Sequence, residues 1–393
     1  PLVGPGPTSG MRVAVFGAGY AGVPLVRQLE QTIPPGDEIV VFDDSPVHVV
    51  RHEIHRVVRR PAIAEDIAVP FTDLFDRAEV REERLADIDH EAEEATLDDG
   101  TTVEYDAAAV CTGVETEFYG LPGVREHATP LRTIAHAERI REEFLPLAEA
   151  DEGEVIVGGA GLSGIQVAGE LAALAREEGA EGVTIRLLEQ ADTVAPGFPT
   201  DIQGPLREEL EARDVVVETG RTVTEADADT VSLADGTEHD YDQLVWTGGV
   251  RGTDVTDGER PVVRSTLQLG DRTFAVGDAA RVIDEDGQAA PATAHTAVRQ
   301  GPVAAENIAR LLAHDRSGGD GFEPRLERYN YDQLGWLVSV GDGAVAKVGP
   351  TVLRGAAAYA VKSSVGAGYL TSVGAVTRAV DLVREEFGLA AGE

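Results

Sequence analysis

A glycine-rich motif occurs twice in this chain, and each copy follows an apolar run and precedes a helical pattern. Each copy has three glycines in the spacing G-x-G-x-x-G: Gly17, Gly19 and Gly22 in the first, Gly159, Gly161 and Gly164 in the second. In this motif the first glycine permits a tight turn, the second admits a pyrophosphate, and the third lets helix and strand pack closely. The duplication predicts two bound dinucleotides.

An acidic residue follows each motif at the end of a second apolar strand. Asp43 comes after Ile39–Phe42, and Glu189 comes after Val183–Leu188. A carboxylate at this place in a βαβ unit accepts hydrogen bonds from a ribose. The motif, the strand and the acid together favour a nucleotide site over a glycine turn without a ligand.

The repeat extends beyond the two motifs. An Asp-Gly hairpin signal at Gly100 precedes an apolar strand ending in Thr112 and Gly113, and the same order recurs from Gly236 to Thr247. A repeat of this length indicates duplication of a whole domain. The predicted fold is therefore α/β, with two Rossmann-like dinucleotide-binding domains and a small C-terminal segment.

The charge balance excludes one large class of partner. The chain has 33 basic and 70 acidic residues, a formal net charge of −37, and lysine only at Lys347 and Lys362. This charge repels nucleic acid. Acid-rich, lysine-poor surfaces resemble those of proteins from salt-loving archaea, because concentrated salt screens self-repulsion.

The thiol and imidazole groups give little indication of a metal or a reactive cysteine. Cys111 lies within an apolar strand and is expected to be a buried, inert thiol. His48, His52 and His55 could suggest a metal, but they lack acid or thiol ligands at convincing spacing. We expect instead a helix lying across a cofactor, with Arg51 approaching that cofactor.

The expected organisation places one nucleotide domain inside the other. The boundaries are 1–10 for an added leader, 11–120 and 250–320 for the first nucleotide domain, 121–249 for the second, and 321–393 for the C-terminal segment. An amphipathic helix is predicted at Ala135–Ala148. With no secretory signal or apolar segment long enough to span a bilayer, we expect a soluble, cytoplasmic body.

Three further elements are expected to complete the first domain. A strand ends at Asp278, whose carboxylate can hold a ribityl hydroxyl, and an Ala-rich helix is expected to follow it. The segment Pro291–Gly301 is predicted to be a loop entering a helix. The backbone near Leu85 is a candidate contact for an adenine.

These features resemble the flavoprotein superfamily that has two dinucleotide-binding domains. The resemblance rests on the first glycine motif, Asp43, the Thr112-Gly113 strand end and the stretch Phe274–Asp278. Within that superfamily, the stretches Gly164–Leu171 and Val245–Gly252 are similar to type II NADH dehydrogenases. This resemblance covers roughly residues 11 to 345.

The resemblance implies FAD in the first domain and NADH in the second. It assigns to FAD the residues Gly17, Gly19, Gly22, Asp43, Arg51, Leu85, Thr112, Gly113, Gly277, Asp278 and His295. It assigns to NADH the residues Gly159, Gly161, Gly164, Glu189, Thr247, Gly248 and Gly249. Glu189 favours NADH over NADPH, because a carboxylate accepts from a 2′-hydroxyl but repels a 2′-phosphate.

The implied reaction is hydride transfer from NADH to the flavin, followed by reoxidation by a quinone-like acceptor. Glu170 matches a family glutamate near the nicotinamide and quinone, with a helix-surface carboxylate as the equally weighted alternative. His295 stands where the family has a glutamine, and Lys362 is a candidate to approach the flavin. No catalytic residue is fixed by these matches.

Two departures from the family pattern leave the identity of the electron acceptor undecided. The quinone-side helix retains one of three expected glutamines, Gln300. Residues 351–387 are rich in Ala, Gly and Val, with aromatic side chains only at Tyr359, Tyr369 and Phe387. Since this composition is poor for membrane contact, packing over the flavin domain or a homodimer contact is favoured over a peripheral membrane contact.

Two other functions compete with the dehydrogenase. The first is a soluble NADH-dependent reductase of a ferredoxin or rubredoxin. The second is a signalling protein that binds flavin and NADH without turnover. A disulfide reductase and a sulfide:quinone oxidoreductase are excluded, because their mechanisms need more cysteines than Cys111.

Overall fold

The computed structural model describes residues 10–319, 322–333, 335–372, 375 and 378. The strands are β1 Arg12–Phe16, β2 Glu38–Asp43, β3 Val47–Val49, β4 Ala68–Pro70, β5 Glu79–Glu82, β6 Leu85–Asp89, β7 Glu94–Leu97, β8 Thr102–Glu104, β9 Ala107–Val110, β10 Glu115–Thr116, β11 Thr129–Pro130, β12 Gly153–Gly158, β13 Val183–Glu189, β14 Val215–Thr219, β15 Val223–Ala226, β16 Thr230–Leu233, β17 Glu238–Asp240, β18 Gln243–Trp246, β19 Val250–Arg251, β20 Val262–Val263, β21 Thr273–Ala275, β22 Arg281–Val282, β23 Gly335–Val340, β24 Gly343–Val348 and β25 Thr351–Arg354. The α-helices are α1 Gly22–Thr32, α2 Ile54–Val57, α3 Val124–His127, α4 Ile134–Ala150, α5 Leu162–Glu178, α6 Thr200–Glu211, α7 Ala294–Arg316 and α8 Gly355–Ser372. Short 3-10 turns occur at Arg51–Glu53, Pro61–Ala64, Phe71–Asp73, Asp254–Thr256 and Gly277–Ala279.

The chain divides into two compact units, each built from three stretches. Unit 1 is formed by Pro1–Val49, Val69–Glu115 and Arg251–Asp332, and unit 2 by Val50–Ala68, Thr116–Val250 and Gln333–Glu393. The stretch 50–68, expected in the first nucleotide domain, therefore belongs to unit 2. Of the expected C-terminal segment 321–393, the residues up to Asp332 belong to unit 1 and those from Gln333 onward belong to unit 2.

Unit 1 contains a parallel sheet in the order β21-β9-β1-β2-β5. Its central strand β1 is buried from Val13 to Phe16, as expected for a parallel strand covered on both faces. Helices α1 and α7 pack together beside it. They can approach closely because a Cβ at Gly301 would lie only 2.5 Å from the carbonyl oxygen of Ala21.

Unit 2 repeats this arrangement with the parallel sheet β11-β18-β12-β13-β14. In both units the strand that precedes the glycine loop, β1 or β12, has equivalent neighbours. On one side it pairs with the strand that ends in the acidic residue, and on the other side with the strand that ends just before Thr112 or Thr247. Both units also contain a three-stranded antiparallel sheet, with the predicted turns at Gly100 and Gly236. The predicted α/β fold with two Rossmann-like sheets is confirmed.

Helix α5 is enclosed within unit 2. Every residue from Gly164 to Ala175 is buried, which is the pattern of a helix covered on all sides. One cover is the C-terminal sheet β23-β24-β25, whose strand β23 packs against α5. A Cβ at Gly169 would lie 2.5 Å from the backbone nitrogen of Gly341, so the two elements meet backbone to backbone.

The described C-terminal residues from Gly335 to Ser372 form a three-stranded sheet and a helix that belong to unit 2. Small side chains on β24, such as Ala344 and Ala346, form a compact cluster with α8 inside unit 2. Residues 1–9, residues 379–393 with Phe387, and the side chain of Tyr359 lie outside what the structure describes.

Two predicted helices are confirmed and one is wrong. Helix α4 covers Ala135–Ala148, and α7 begins one residue after its cap Thr293. The Ala-rich helix expected after Asp278 is replaced by a single 3-10 turn, because the chain then enters β22, which pairs with β20. Among the described residues, no helix is long and apolar enough to cross a membrane.

Candidate functional site

The two glycine loops have the same backbone geometry. Gly17 has φ +93° and its N–H donates to the carbonyl oxygen of Phe42 at 2.7 Å. Gly159 has φ +94° and its N–H donates to Leu188 at 2.8 Å. Both values of φ lie in the left-handed region that favours glycine, so the residue type fixes the turn.

The three glycines of each loop have different surroundings. A Cβ on the third glycine would lie 2.1 Å from the carbonyl oxygen of Gly17 in the first loop and 1.8 Å from that of Gly159 in the second. A Cβ on the middle glycine, Gly19 or Gly161, would meet no atom within 4 Å. The space over the middle glycine suits a pyrophosphate approaching the helix amides, so both loops fit a dinucleotide.

The two acidic residues hold their loops in the same way. One carboxylate oxygen of Asp43 and one of Glu189 each accept the N–H of the residue after the first glycine, both at 2.7 Å. The other oxygen accepts from Ser45 at 3.0 Å in the first loop and from Ala191 at 2.8 Å in the second. A carboxylate offers about four lone-pair sites, so each can still accept from a ribose.

Unit 1 brings the remaining predicted glycines to neighbouring turns. Gly113, with φ +74°, follows Thr112, whose hydroxyl lies 3.4 Å from that of Thr253. Gly277, with φ +71°, donates its N–H to Oε1 of the buried Gln300 at 2.8 Å. Gln300 thus holds the turn before Asp278, a role that the sequence pattern did not indicate.

Three other predicted residues of unit 1 have distinct environments. Asp278 lies in the 3-10 turn, where its carbonyl oxygen accepts from Arg260 Nε at 2.7 Å. His295 lies in the first turn of α7, with Nε2 3.2 Å from the carbonyl oxygen of Asp332. Leu85 is buried in the hydrophobic core.

In unit 2, the strand end after β18 closes against the second loop. The hydroxyl of Thr247 lies 2.9 Å from the carbonyl oxygen of Gly159, and the hydroxyl of Tyr119 donates to the carbonyl oxygen of Gly248 at 3.1 Å. A Cβ at Gly249 would lie 2.3 Å from that tyrosine oxygen. A larger residue at this turn would have to displace the Tyr119 side chain from its contact with Gly248.

A pocket of about 290 Å³ opens beside this strand end. Its lining includes Tyr119, Glu189, Arg221 and Trp246. Arg221 Nε also pairs with Glu218 Oε2 at 3.2 Å. Sequence reasoning missed Tyr119 and Arg221, which lie outside the motifs, although Glu189 at the strand end indicated the location.

Glu170 is completely buried, so the alternative of a helix-surface carboxylate is wrong. Its Oε2 accepts from Arg59 Nε at 2.6 Å, and Arg59 Nη1 also lies 3.3 Å from Glu177 Oε1. Burial raises the pKa of Glu170, and the nearby Arg59 opposes that rise. The pairing follows from the enclosure of α5, which leaves a carboxylate on this helix no access to water.

Replacing Arg59 with leucine is expected to lower the free energy of unfolding by about 3–5 kcal/mol, because it leaves Glu170 buried without its cation. The matched control is Arg60→Leu, since Arg60 forms a half-exposed pair with Glu177 and is expected to contribute less than about 1 kcal/mol. Urea unfolding followed by circular dichroism measures both. Equal losses in the two variants would contradict the structural importance of the Arg59–Glu170 pair.

A second buried charged group surrounds Lys362, which lies in unit 2. Arg56 Nη1 donates to Glu53 Oε2 at 3.1 Å. Burial alone would raise the pKa of Glu53, but Lys362, His52 and Arg56 lower it to about 2. Burial, together with Lys362, lowers the pKa values of His52 and His55, so both rings are neutral at pH 7.

The three histidines of this stretch are divided between the two units. His48 belongs to unit 1, where Nδ1 lies 3.1 Å from the carbonyl oxygen of Ala18, whereas His52 and His55 belong to unit 2. Within the described ranges, no group of three or more His, Cys, Asp or Glu residues could hold a metal ion.

A smaller pocket of about 100 Å³ lies next to the start of α5. Arg51, Arg132, His55, Ser163 and Gln166 supply its polar lining. Arg51, which was expected to approach the cofactor of the first nucleotide domain, therefore lies beside α5, the helix that follows the second glycine loop. Glu170 is not part of this lining, and Gln166, one turn earlier on α5, takes the position facing the pocket.

The residues from 11 to 301 match the family model described as pyridine nucleotide-disulphide oxidoreductase. The chain belongs to this family. A member of the pyridine nucleotide-disulphide oxidoreductase family with one cysteine cannot form an internal redox disulfide. Cys111 is buried, as predicted, and this burial raises the pKa of its thiol.

Relatives within this family cover most of the chain. A type II NADH:quinone oxidoreductase from Staphylococcus aureus is 26% identical over 390 residues, covering 89% of this chain and 93% of that protein. A demethylphylloquinone reductase from Synechocystis is 27% identical over 362 residues, covering 85% and 86%. The solved structure of NDH2 from Plasmodium falciparum in complex with RYL-552 has a TM-score of 0.81 at 13% identity, with 97% and 99% of the chains covered.

Proposed function

We propose that this protein is an FAD-dependent NADH dehydrogenase that passes electrons to a quinone-like acceptor. The observation that carries the proposal is the pair of equivalent glycine loops, each held by a carboxylate at the neighbouring strand end. Similarity to a type II NADH:quinone oxidoreductase over 89% of the chain supports quinone as the acceptor class.

Unit 1 is the proposed FAD site. The residues assigned to FAD are Gly17, Gly19, Gly22, Asp43, Leu85, Thr112, Gly113, Gly277, Asp278 and His295. The open space over Gly19 would take the pyrophosphate, Asp43 would bind the adenosine ribose, and Asp278 would bind the ribityl chain. The chemistry that FAD supplies when bound is acceptance of a hydride and onward transfer of two electrons.

Unit 2 is the proposed NADH site. The residues assigned to NADH are Gly159, Gly161, Gly164, Glu189, Thr247, Gly248 and Gly249. The pocket beside Glu189 is large enough for part of an adenosine, and Tyr119 and Trp246 give it an aromatic lining. The protein's contribution would be to bind and orient the dinucleotide, since the hydride chemistry belongs to the cofactors.

The roles of Glu170 and Lys362 follow from their burial. Both side chains are buried inside unit 2, and neither needs to transfer a proton in the reductive step. We propose that they set the electrostatic field around the nicotinamide and quinone, while Arg51 contributes positive charge to the smaller pocket.

The proposed setting is the cytoplasm of a salt-loving archaeon, with peripheral contact at the cytoplasmic face of the membrane as the alternative. The acidic composition supports the salt preference, since molar salt reduces the Debye length to about 3 Å and screens the net charge of −37. A lipid-soluble quinone acceptor would require contact with the membrane surface. A second copy of the chain is the alternative partner for the C-terminal segment.

The first test is stopped-flow reduction of the yellow protein by NADH in about 3 M KCl, a salt concentration chosen to limit acidic self-repulsion. NADH is expected to bleach the flavin absorbance, and menadione is expected to restore it. Bleaching without recovery would point to a ferredoxin-type protein acceptor. An unbleached flavin would contradict the dehydrogenase and leave a flavin-binding signalling protein.

A further inference from the structure

A tight turn at residues 118–121 places a tyrosine at the larger pocket of unit 2. Its central residues, Tyr119 and Gly120, have φ +55° and +63°, and the N–H of Leu121 donates to the carbonyl oxygen of Phe118 at 2.9 Å. Two consecutive residues with positive φ, closed by this hydrogen bond, are the pattern of a type I′ turn. Such turns favour asparagine, aspartate or glycine at the first central position. Tyrosine therefore carries a conformational cost here.

Little in the packing of unit 2 repays this cost. Of the described non-glycine residues with positive φ, Tyr119 is the only aromatic one. The residue is 58% exposed, so its ring contributes little buried area to the core. A bulky residue in a sparsely populated backbone conformation persists only where its surroundings fix it, and such strain occurs often at ligand sites. The packing of unit 2 alone does not explain a tyrosine at this position.

Hydrogen bonds around Glu117 fix the tyrosine against the strand end after β18. The N–H of Glu117 donates to the carbonyl oxygen of Gly249 at 3.0 Å, and its carbonyl oxygen accepts from Trp246 Nε1 at 2.8 Å. Its Oε1 accepts from the N–H of Tyr119 at 2.6 Å. The Tyr119 hydroxyl donates to the carbonyl oxygen of Gly248 at 3.1 Å. Both ends of the tyrosine are therefore held, and the direction of its ring is set.

The ring is held at the pocket that contains Glu189. Tyr119 and Glu189 both line this pocket, with Leu121 and Val223 among its apolar residues. Desolvation and the negative charges of Glu117 and Glu189 raise the pKa of the Tyr119 hydroxyl. In the proposed NADH site, Glu189 accepts from the adenosine ribose. Because the base is bonded directly to that ribose, it lies within reach of the same pocket, where a flat base can pack against an aromatic ring.

We propose that Tyr119 binds the adenine ring of the dinucleotide by packing against it, and that the strained turn presents the tyrosine ring for this contact. The inference rests on the proposed NADH site and adds a binding residue that lies outside the glycine motif and the strand-end acid. The contact does not involve the nicotinamide. Every ligand that carries the adenosine half, such as NAD+ or ADP-ribose, would therefore use it.

Tyr119→Asn tests the proposal because it separates folding from binding. It removes the ring and supplies the Asn-Gly pair that a type I′ turn favours, so the midpoint of urea unfolding is expected to be unchanged or higher. Tyr119→Phe keeps the ring and removes only the hydroxyl. The flavin-loaded protein and both variants are titrated with NAD+ and with ADP-ribose, which lacks the nicotinamide.

Tyr119→Asn is expected to weaken the binding of NAD+ and of ADP-ribose about tenfold and to the same extent, because both carry the base that packs on the ring. Tyr119→Phe is expected to retain most of the affinity. Unchanged binding in Tyr119→Asn, weaker binding of NAD+ alone, or equal losses in the two variants would overturn the proposal. A lower unfolding midpoint for Tyr119→Asn would also overturn it, since the tyrosine would then stabilise the fold. Failure of the unaltered protein to bind NAD+ and ADP-ribose would instead overturn the proposed NADH site.

Discussion

Gly17→Ala is expected to yield a folded protein that has lost its yellow colour, with affinity for FAD reduced at least 100-fold. Two penalties combine at this position. The backbone has φ +93°, and a Cβ would lie 2.6 Å from the carbonyl oxygen of Cys111 and 3.0 Å from the backbone nitrogen of Thr112. Because these neighbours are backbone atoms at the end of a core strand, the loop itself must move and its amides leave the pyrophosphate.

A substitution at Gly100 separates the conformational penalty from the steric one. Gly100 has φ +85° in the turn between β7 and β8, and a Cβ there would meet nothing within 4 Å. Gly100→Ala therefore carries the conformational cost, about 1–2 kcal/mol, without the collision. We expect this variant to be less stable and to retain FAD.

Absorbance of the purified variants and titration of the apoproteins with FAD, monitored by flavin fluorescence, measure the difference. Circular dichroism checks that both variants are folded. Gly17→Ala binding FAD within a few-fold of the unaltered protein would contradict the assignment of this loop. Loss of FAD from both variants would instead indicate a general effect of stability on binding.

The parallel sheets and nucleotide loops were predictable because they depend on local signals. A glycine with positive φ, an apolar strand and an acid at the next strand end each have a short-range physical cause. This is why Gly17, Asp43 and their counterparts Gly159 and Glu189 could be located from the sequence. Because the motif and its acidic residue occur twice in the chain, each copy independently supported the interpretation of the other.

The surroundings of α5 were not predictable from local signals. Glu170 looks like a surface residue in an acidic chain, and it is buried only because the C-terminal sheet covers the helix. Its partner Arg59 lies 111 positions away in sequence. Ser339 and His55 meet across 284 positions, and neither lies in a recognisable motif. Such contacts follow from tertiary packing, which periodicity and spacing do not encode.

The stretch 50–68 illustrates the same limit at the level of domains. Chain continuity with β2 and β3 suggested that it belongs to the first nucleotide domain, yet it packs with α4 and α5 in unit 2. Its buried residues Ile54 and Val57 show that it has an apolar face, but not which unit covers that face. Arg51 consequently lies beside α5, the helix that follows the second glycine loop.

Replacing Glu189 with glutamine is expected to change the choice of nicotinamide cofactor. The unaltered carboxylate accepts from a ribose 2′-hydroxyl and repels a 2′-phosphate, so NADH is expected to be strongly preferred. A hydrogen bond to a charged group contributes about 1.5–3 kcal/mol, which corresponds to about 10–150-fold in binding. The ratio of kcat/KM for NADH to that for NADPH is therefore expected to fall by about 10–100-fold.

The choice of glutamine preserves part of the loop's support. Glu189 accepts N–H groups from Ala160 and Ala191, and a glutamine oxygen can still accept one of these bonds. Glu154→Gln is the matched control, because Glu154 is a partly buried carboxylate at the opposite end of the glycine-loop strand, paired with Arg186. It is expected to leave the cofactor ratio unchanged.

Steady-state rates with both cofactors, using menadione as the acceptor, measure the ratio for the unaltered protein and the two variants. If Glu189→Gln lowers activity with NADH and NADPH equally, the carboxylate supports only the loop and does not discriminate between the cofactors. If Glu154→Gln shifts the ratio as much as Glu189→Gln, the effect arises from the net charge of unit 2. A shift confined to Glu189→Gln would locate cofactor selection at the end of β13, where the carboxylate that holds the loop also faces the adenosine pocket.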